Sequence, residues 1–374
     1  MKILLISYTA DVHHGWGNIT HEYCKALQKK GIAFTLLLPE NEPHRETIDY
    51  PCEYVLPPYT TTLRHRFLWK YLSYRLPPRF QGYTLIHNLF DFPYCYLAYR
   101  LSQQLRLRYI TGSQGTYGVL PLFRWLDCSL QKKSYNHAYK IITPSRYTAL
   151  LIEKFSQTPT PFQVIHNGVH WERFASPVPP EKIQAIRNQY PGQFLVLGVG
   201  GLKKRKGFHI VLKALTFLRE KPIKYLIIGK GIMEKELREL VAQEKLENQV
   251  EFLGQRGGED LVSYFQACDL YCHTPINEDF HFEGFGIVFV EANAAGKPVV
   301  ASASGGVTDA VSVGKSGVLV PEKDPQATAR ALLEFFENQE RLKTMSQAAL
   351  LWAQEHDWSR IADQYLKIYK ELHW

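Results

Sequence analysis

Short, nearly unbroken apolar runs recur along the chain, each followed by a turn and then a stretch of helical period. Lys2 to Ser7 is the first, apolar at almost every position, as a strand buried on both faces requires. The glycine turn Gly15-Trp16-Gly17-Asn18 follows, then a helical pattern from Ile19 to Lys30 that stops at Gly31, then a second strand from Ala33 to Leu38. Strand, glycine turn, helix and strand make a βαβ unit, whose first turn commonly holds a phosphate. Tyr83 to His87, Arg108 to Thr111 and Lys140 to Thr143 read as further strands. Tyr94 to Leu105, Leu120 to His137 and Ser145 to Phe155 read as helices, the last with Ser145 as its cap.

A proline-rich stretch (Pro177, Pro179, Pro180) marks a domain boundary, and beyond it the rhythm restarts. Phe194 to Val199, Lys224 to Ile228, Val250 to Leu253, Leu270 to Cys272, Pro298 to Ala301 and Gly317 to Val320 read as strands. Helical stretches stand between them, from Phe208 to Arg219, Glu234 to Glu244 and Asp260 to Gln266 among others. Two alternating halves predict an α/β protein of two doubly wound, Rossmann-like domains facing each other across a cleft, residues 1–170 and 171–357. A length of 374 residues agrees, being too long for one ordinary core.

Composition narrows the class only a little. Hydrophobic residues make up 45% and charged residues 21%, ordinary for a soluble globular chain. The six cysteines are scattered with no C-x-x-C pair, which reads as reduced thiols in a cytosolic protein. No apolar run reaches the length of a membrane span. Charge is more informative: Tyr54 to Lys140 holds twelve Lys/Arg against Asp91 and Asp127, a net +10 where the whole chain is +8. An acidic partner is expected there. Within that segment, residues 63–76 are cationic and aromatic without an acid, which suits a helix on an anionic membrane surface and equally a helix packed on the first domain. No nucleic-acid fold signature accompanies them, so nucleic acid is not expected as a partner.

The candidate chemistry centres on Glu283 and Glu291. A helix beginning near Phe285 places Glu283 in the loop before it and Glu291 about two turns inside, with the unpaired N–H groups of the first turn between them. Those N–H groups and the helix dipole favour an anion. A phosphate between two acceptor carboxylates points to a ligand with hydroxyls at both ends, such as a sugar nucleotide; two solvated acids on a buried helix are the plain alternative. Upstream, Lys203-Lys204-Arg205-Lys206-Gly207 follows a strand and reads as a phosphate-binding turn or a solvated basic one. His13 and His14 flank the first glycine turn, and His87 and Asp91 follow a strand end, where α/β loops form sites. The G-x-G of Gly15 and Gly17 is followed by Thr20 rather than a third glycine, which argues against a dinucleotide-dependent oxidoreductase.

Taken in order, these pieces carry a likeness. Gly15-Trp16-Gly17-Asn18, Ile142-Thr143-Pro144-Ser145, Val164-Ile165-His166-Asn167-Gly168-Val169, Arg205-Lys206-Gly207, Val250-Glu251-Phe252-Leu253-Gly254, the Glu283/Glu291 pair and Gly305-Gly306-Val307 stand in the order and spacing of one family. The chain resembles the retaining GT-B glycosyltransferases of family 4 (glycosyl transferases group 1) over nearly its whole length. The resemblance implies a metal-independent enzyme that moves a sugar from a nucleoside diphosphate sugar, a UDP- or GDP-sugar, to a hydroxyl of a lipid-linked, polysaccharide or glycolipid acceptor. No cofactor beyond the donor itself is implied, and the expected place is the cytosol, at the inner face of a membrane.

The resemblance also assigns roles. Glu291 takes the ribose hydroxyls and Glu283 those of the donor sugar, while the backbone of Phe285, Gly286 and Ile287 lies near the diphosphate or sugar. Lys206, supported by Arg205, neutralises the diphosphate, and Gly15 and Gly17 face the donor. His13, His14, His87 and Asp91 are acceptor-side candidates, and the last helix, from Trp358, crosses back to the first domain. Two departures stand out. Gln114 occupies the place of the family's usual histidine, and glutamine cannot take a proton at neutral pH. Gly201 occupies the place of its usual arginine, a loss that Lys203 or Lys204 could offset. A catalytically weak sugar- or lipid-binding relative is the alternative these departures raise.

Overall fold

The computed structural model describes residues 1–12, 15–60 and 70–373. The chain divides into two compact units, Met1–Gly168 with Trp358–Trp374, and Val169–Asp357. The break falls at residue 168, so the prolines at 177–180 lie inside the second unit, where Pro180 opens the helix Pro180–Asn188.

In the first unit seven parallel strands lie in the order β3-β2-β1-β4-β5-β6-β7. They are β1 (Lys2–Ile6), β2 (Ala33–Pro39), β3 (Cys52–Leu56), β4 (Leu85–Asn88), β5 (Tyr109–Gly112), β6 (Lys140–Thr143) and β7 (Phe162–Val164). Strand β1 pairs with β2 on one side and β4 on the other, so chain order reverses between β1 and β4. Ile3, Leu4, Leu5 and Ile6 are all buried, which is why the strand reads as unbroken apolar sequence rather than an alternation. Strand β3 has no such signal: as the edge strand it is only half-buried over Cys52–Val55, and the sequence pattern does not show it.

The stretch Leu120 to His137 is not one helix. Pro121 has no N–H to give, and the chain makes a short helix Thr116–Val119, a 3-10 turn Leu120–Phe123 and then Trp125–His137. The last helix, Trp358–His373, closes over this unit, with Ile361, Tyr365, Ile368 and Tyr369 in the same core as β1 and β4.

The second unit holds six parallel strands in the order β10-β9-β8-β11-β12-β13. They are β8 (Phe194–Val199), β9 (Ile223–Ile228), β10 (Val250–Gly254), β11 (Leu270–His273), β12 (Val299–Ser302) and β13 (Gly317–Val320). Alternate residues serve two cores, one on each face: Leu195, Leu197, Tyr271, Val299 and Ala301 in one, Val196, Leu270, Cys272 and Val300 in the other. Chain order reverses between β8 and β11. In open α/β sheets ligands bind beyond the carboxyl ends of the strands at such a reversal. Each unit therefore has one crevice where a site belongs. Among the described residues no helix is long and apolar enough to cross a membrane.

Candidate active site

At the β8/β11 reversal of the second unit, Arg205, Lys206 and Glu283 converge. Arg205 Nη1 and Lys206 Nζ both donate to Glu283 Oε2, at 2.9 and 2.6 Å. All three are largely shielded, with side-chain exposures of 27%, 16% and 13%. Burial opposes ionisation of Glu283, but the Lys206 ammonium and the Arg205 guanidinium outweigh it and hold the carboxyl at about 2. Burial in turn lowers the Lys206 ammonium, with Glu283 acting against it.

Backbone contacts fix this cluster. The turn Lys204–Lys206 ends at Gly207 in the left-handed conformation (φ 70°), and a Cβ there would lie 1.7 Å from the Thr274 carbonyl oxygen. Only glycine meets both demands. The closeness lets Ile276 N donate to Arg205 O (2.8 Å) and Thr274 Oγ1 donate to Gly207 O (3.1 Å), so the loop after β11 carries the basic turn. Gly207→Ala is accordingly expected to destabilise the second unit by at least about 1 kcal/mol, roughly 2–4 °C in Tm. It should weaken nucleoside diphosphate binding as well; calorimetric melting and titration of the purified variant check both. On the other side, Gly306 N donates to Glu283 O (2.7 Å), and a Cβ on Gly305 (φ 52°) would stand 2.6 Å from the same oxygen. The Gly305-Gly306 pair is thus the seat of the Glu283 backbone.

The helix carrying Glu291 runs Ile287–Ala294, beginning two residues later than Phe285. Gly286 is the reason: at φ 91° it is left-handed, and a Cβ would strike the Phe289 ring at 2.7 Å. Phe285 turns its side chain into the core, 2% exposed, where it stacks on His356 (6.1 Å, 27°). Glu291 is half-buried and its carboxyl has no hydrogen-bond partner among the described residues. Burial raises it to about 7, with Arg173 acting against the rise. Its oxygens are of the kind that accept from hydroxyl donors.

Sequence reasoning missed His273, the last residue of β11. Its ring is fully buried between Phe208 (5.0 Å) and Phe289 (5.6 Å), Nε2 has no hydrogen-bond partner among the described residues, and burial holds it at about 3. A histidine inside an apolar strand carries no local signal, so only the fold places it behind Lys206 and Glu283. Lys204, one candidate to replace the absent arginine at Gly201, is committed elsewhere: its Nζ lies 2.5 Å from Glu278 Oε1. Gly201 itself is exposed, and among the described residues a Cβ there would come no nearer than 3.9 Å to another atom, Lys230 O, so space does not forbid a side chain.

In the first unit the corresponding crevice lies beyond β1 and β4. Asp91 is 2% exposed; Ser113 Oγ donates to its Oδ1 (2.6 Å), as does Gln114 N (3.1 Å). Burial raises the Asp91 carboxyl to about 7 against those two hydrogen bonds. Gly118 is required here, because a Cβ would meet Ser113 Oγ at 1.7 Å and Asp91 Oδ1 at 2.7 Å. The Gln114 side chain is held at both ends: Nε2 donates to Leu89 O (3.3 Å) and Oε1 accepts from Asn167 Nδ2 (3.1 Å). The amide therefore sits in one orientation as a neutral hydrogen-bonding group. Gly15 opens the helix Gly15–Lys29, and Gly17 is buried where a Cβ would strike Asp11 O at 2.1 Å.

Two expectations change. His87 does not reach a loop: β4 extends one residue further, to Asn88, and His87 is 1% exposed inside the core. Its Nδ1 lies 2.5 Å from the Tyr369 hydroxyl of the last helix, which also hydrogen-bonds Tyr23, and burial lowers it to about 3. It packs; it does not face an acceptor. Of residues 63–76, positions 63–69 lie outside the described residues, as do His13 and His14. Tyr71 and Tyr74 are described, and both turn inward: Tyr71 Oη donates to Pro58 O (2.8 Å) and Tyr74 Oη to Val55 O (2.7 Å). They cannot belong to a lipid-facing surface.

Two doubly wound units, each with a strand-order reversal, and in the second a cationic pair held against a shielded carboxylate, define an α/β protein of two Rossmann-like units. Comparison with known proteins sharpens this. Residues 14–173 match the family described as Glycosyltransferase Family 4, and residues 180–352 match Glycosyl transferases group 1. The chain belongs to glycosyltransferase family 4 and has its GT-B fold. It is similar to the D-inositol 3-phosphate glycosyltransferases of Corynebacterium urealyticum (38% identity over 183 residues, 46% of this chain and 42% of the relative) and Corynebacterium jeikeium (32% over 234 residues, 59% and 54%). The matched part is thus about half the length of these relatives. Among solved structures, Anabaena HepE in complex with UDP shares the fold at a TM-score of 0.81 and 22% identity, covering 99% of this chain and 100% of that one.

Proposed function

We propose that the protein transfers a sugar from a nucleoside diphosphate sugar to an acceptor hydroxyl, with retention at the anomeric carbon and without a divalent metal. One observation carries the reading: Lys206 and Arg205 are fixed beside Glu283 at the strand-order reversal of the second unit. A glycosyl–phosphate bond breaks as charge builds on the leaving phosphate, and fixed cations stabilise that charge. Lys206 and Arg205 serve the diphosphate, Glu283 the donor-sugar hydroxyls and Glu291 the ribose. With Gln114 neutral and tied at both ends, the acceptor's proton passes to the leaving phosphate on the same face, consistent with retention. The names of similar proteins support the class: glycosyltransferases among the relatives, and a structural neighbour solved with UDP and with UDP-glucose.

A thermal-shift panel of nucleoside diphosphate sugars tests it. A donor at one hundred times its Kd stabilises by about 2.7 kcal/mol, roughly 5–10 °C for a unit of this size. Release of nucleoside diphosphate by that donor then establishes turnover. No shift and no release with any uridine, guanosine or adenosine donor would overturn the reading.

A further inference from the structure

Between β11 and Glu283 the chain makes a tight hairpin. Glu278 N donates to His281 O and His281 N to Glu278 O, each at 2.9 Å, and Asp279 at the tip is left-handed (φ 54°). The two legs therefore lie side by side, with Asn277 on the leg entering the turn and the buried Phe282 on the leg leaving it. Glu283 comes next, so whatever fixes Asn277 also fixes the backbone from which the Glu283 side chain starts.

Asn277 is fixed by an acid from another loop. Its backbone N donates to Glu322 Oε2 (2.9 Å) and its Nδ2 to Glu322 Oε1 (2.8 Å), so both oxygens of one carboxylate grip one residue. Its remaining polar atom, Oδ1, accepts from the Oγ of the fully buried Ser304 (3.2 Å). Glu322 stands just beyond β13 and Ser304 just beyond β12, so this asparagine joins the loops that follow three adjacent strands. Gly305 shows how near the junction lies to Glu283. A Cβ there would stand 3.4 Å from Asn277 Oδ1, 3.3 Å from Glu283 N and 2.6 Å from Glu283 O. A second tie, Lys204 Nζ to Glu278 Oε1 (2.5 Å), joins the hairpin to the basic turn, but its side chains are 61% and 36% exposed and such pairs contribute little. The half-buried, charge-assisted bonds to Glu322 are the stronger anchor.

We propose that Asn277 and Glu322 are positioning residues that hold the Glu283 carboxylate in place for the donor-sugar hydroxyls, a role that rests on the glycosyl-transfer reading above. A diphosphate that draws Lys206 and Arg205 away takes two tethers from the Glu283 side chain, and its place is then set by its backbone. That backbone rests on Gly306 N at one side and on the hairpin anchored by Asn277 at the other. The other ends of the site have seats of their own: Gly207 packs against the Thr274 carbonyl beside Lys206, and Glu291 stands on the helix Ile287–Ala294. Loosening the Asn277–Glu322 grip therefore disturbs the sugar end and leaves the phosphate and ribose ends in place. Asn277 and Glu322 thus act on how well the intact donor is used, and not on how well the bare nucleoside diphosphate is held.

The test uses the full chain and the donor found in the thermal-shift panel. Asn277→Asp sets a second carboxylate against Glu322, and Glu322→Ala removes the grip altogether. Each should lower kcat by about 10–100-fold, the scale on which a displacement of about 1 Å imposed from outside the reacting groups acts. Each should leave the Kd of the nucleoside diphosphate, measured by isothermal titration, within about twofold of wild type, since that ligand carries no sugar. Asn277→Asp combined with Glu322→Gln rebuilds the hydrogen bond with its polarity reversed, and should bring kcat back to within about threefold of wild type. Single variants with wild-type kcat, or a double variant no better than Asn277→Asp alone, would overturn the proposal and leave the transfer class standing. Parallel loss of nucleoside diphosphate binding would overturn it as well, by showing that the junction supports the whole unit rather than the sugar end. Absence of any donor binding by the wild type would instead bring down the reading beneath it.

Discussion

Glu283→Gln is expected to cut sugar transfer by about 100–1000-fold while nucleoside diphosphate binds as well as before or more tightly. The reason lies in how the three charges are paired. Lys206 and Arg205 both spend a hydrogen bond on Glu283 Oε2, so an arriving diphosphate must compete with a carboxylate held ionised at about 2. Glutamine is isosteric but neutral and releases both cations to the phosphate. It cannot hold the donor-sugar hydroxyls as a charged acceptor does, and charge-assisted hydrogen bonds are roughly twice as strong as neutral ones. The variant leaves two shielded cations without their counter-charge, so the free protein should melt lower and regain the loss on adding nucleoside diphosphate. Isothermal titration with the diphosphate, beside turnover of the intact donor, separates the two effects. Equal loss of binding and transfer would mean that Glu283 organises the cations rather than the sugar.

The fold and this pair were legible for the same reason: both are written in residue type at short range. Phe194 to Val199 reads as a strand at its observed limits because a strand buried on both faces leaves no room for polar positions. Arg205-Lys206-Gly207 declared itself through a glycine that the chain cannot replace at φ 70°. Long-range partners were not legible. Nothing in Ser113, Asn167 or Thr274 announces a contact with Asp91, Gln114 or Gly207, since each is made only when distant strand ends meet.

Side-chain direction was the other blind spot. His87 looked like a loop-edge residue because the strand was ended one position early, and in a strand one position decides which way a side chain points. Residues 63–76 left a membrane-facing helix and a helix packed on the first domain equally open, because helical spacing alone does not distinguish the two; the inward hydroxyls of Tyr71 and Tyr74 speak for packing. Gln114 was the instructive departure. The substitution could be seen in the sequence, but its meaning waited on Leu89 and Asn167, which tie the amide at both ends and make it a fixed polar group rather than a failed base.

Lys206→Ala should lower kcat by about 100–1000-fold, the range seen when one preorganised donor to developing negative charge is removed, and should weaken nucleoside diphosphate binding in parallel. That parallel loss distinguishes it from Glu283→Gln. The ammonium is the nearer of the two cations to Glu283, at 2.6 Å against 2.9 Å, and is the larger electrostatic force holding that carboxyl down against burial. Without it burial gains ground and the Glu283 carboxyl moves up, so the variant's residual kcat/KM should acquire an acid limb that the wild type lacks in its working range. Stability follows the same linkage. A carboxyl depressed from 4.5 to about 2 contributes stability that is fully present above about pH 4.5 and lost as pH falls through about 2. The difference in Tm between wild type and Lys206→Ala should therefore be widest above about pH 5 and shrink on acidification through that window. Lys206→Arg keeps the charge but replaces a point cation with a planar fork. It should restore the pH profile of stability more fully than it restores kcat. Recovery of both to the same degree would show that charge alone, and not the placement of one ammonium against the leaving phosphate, sets the rate.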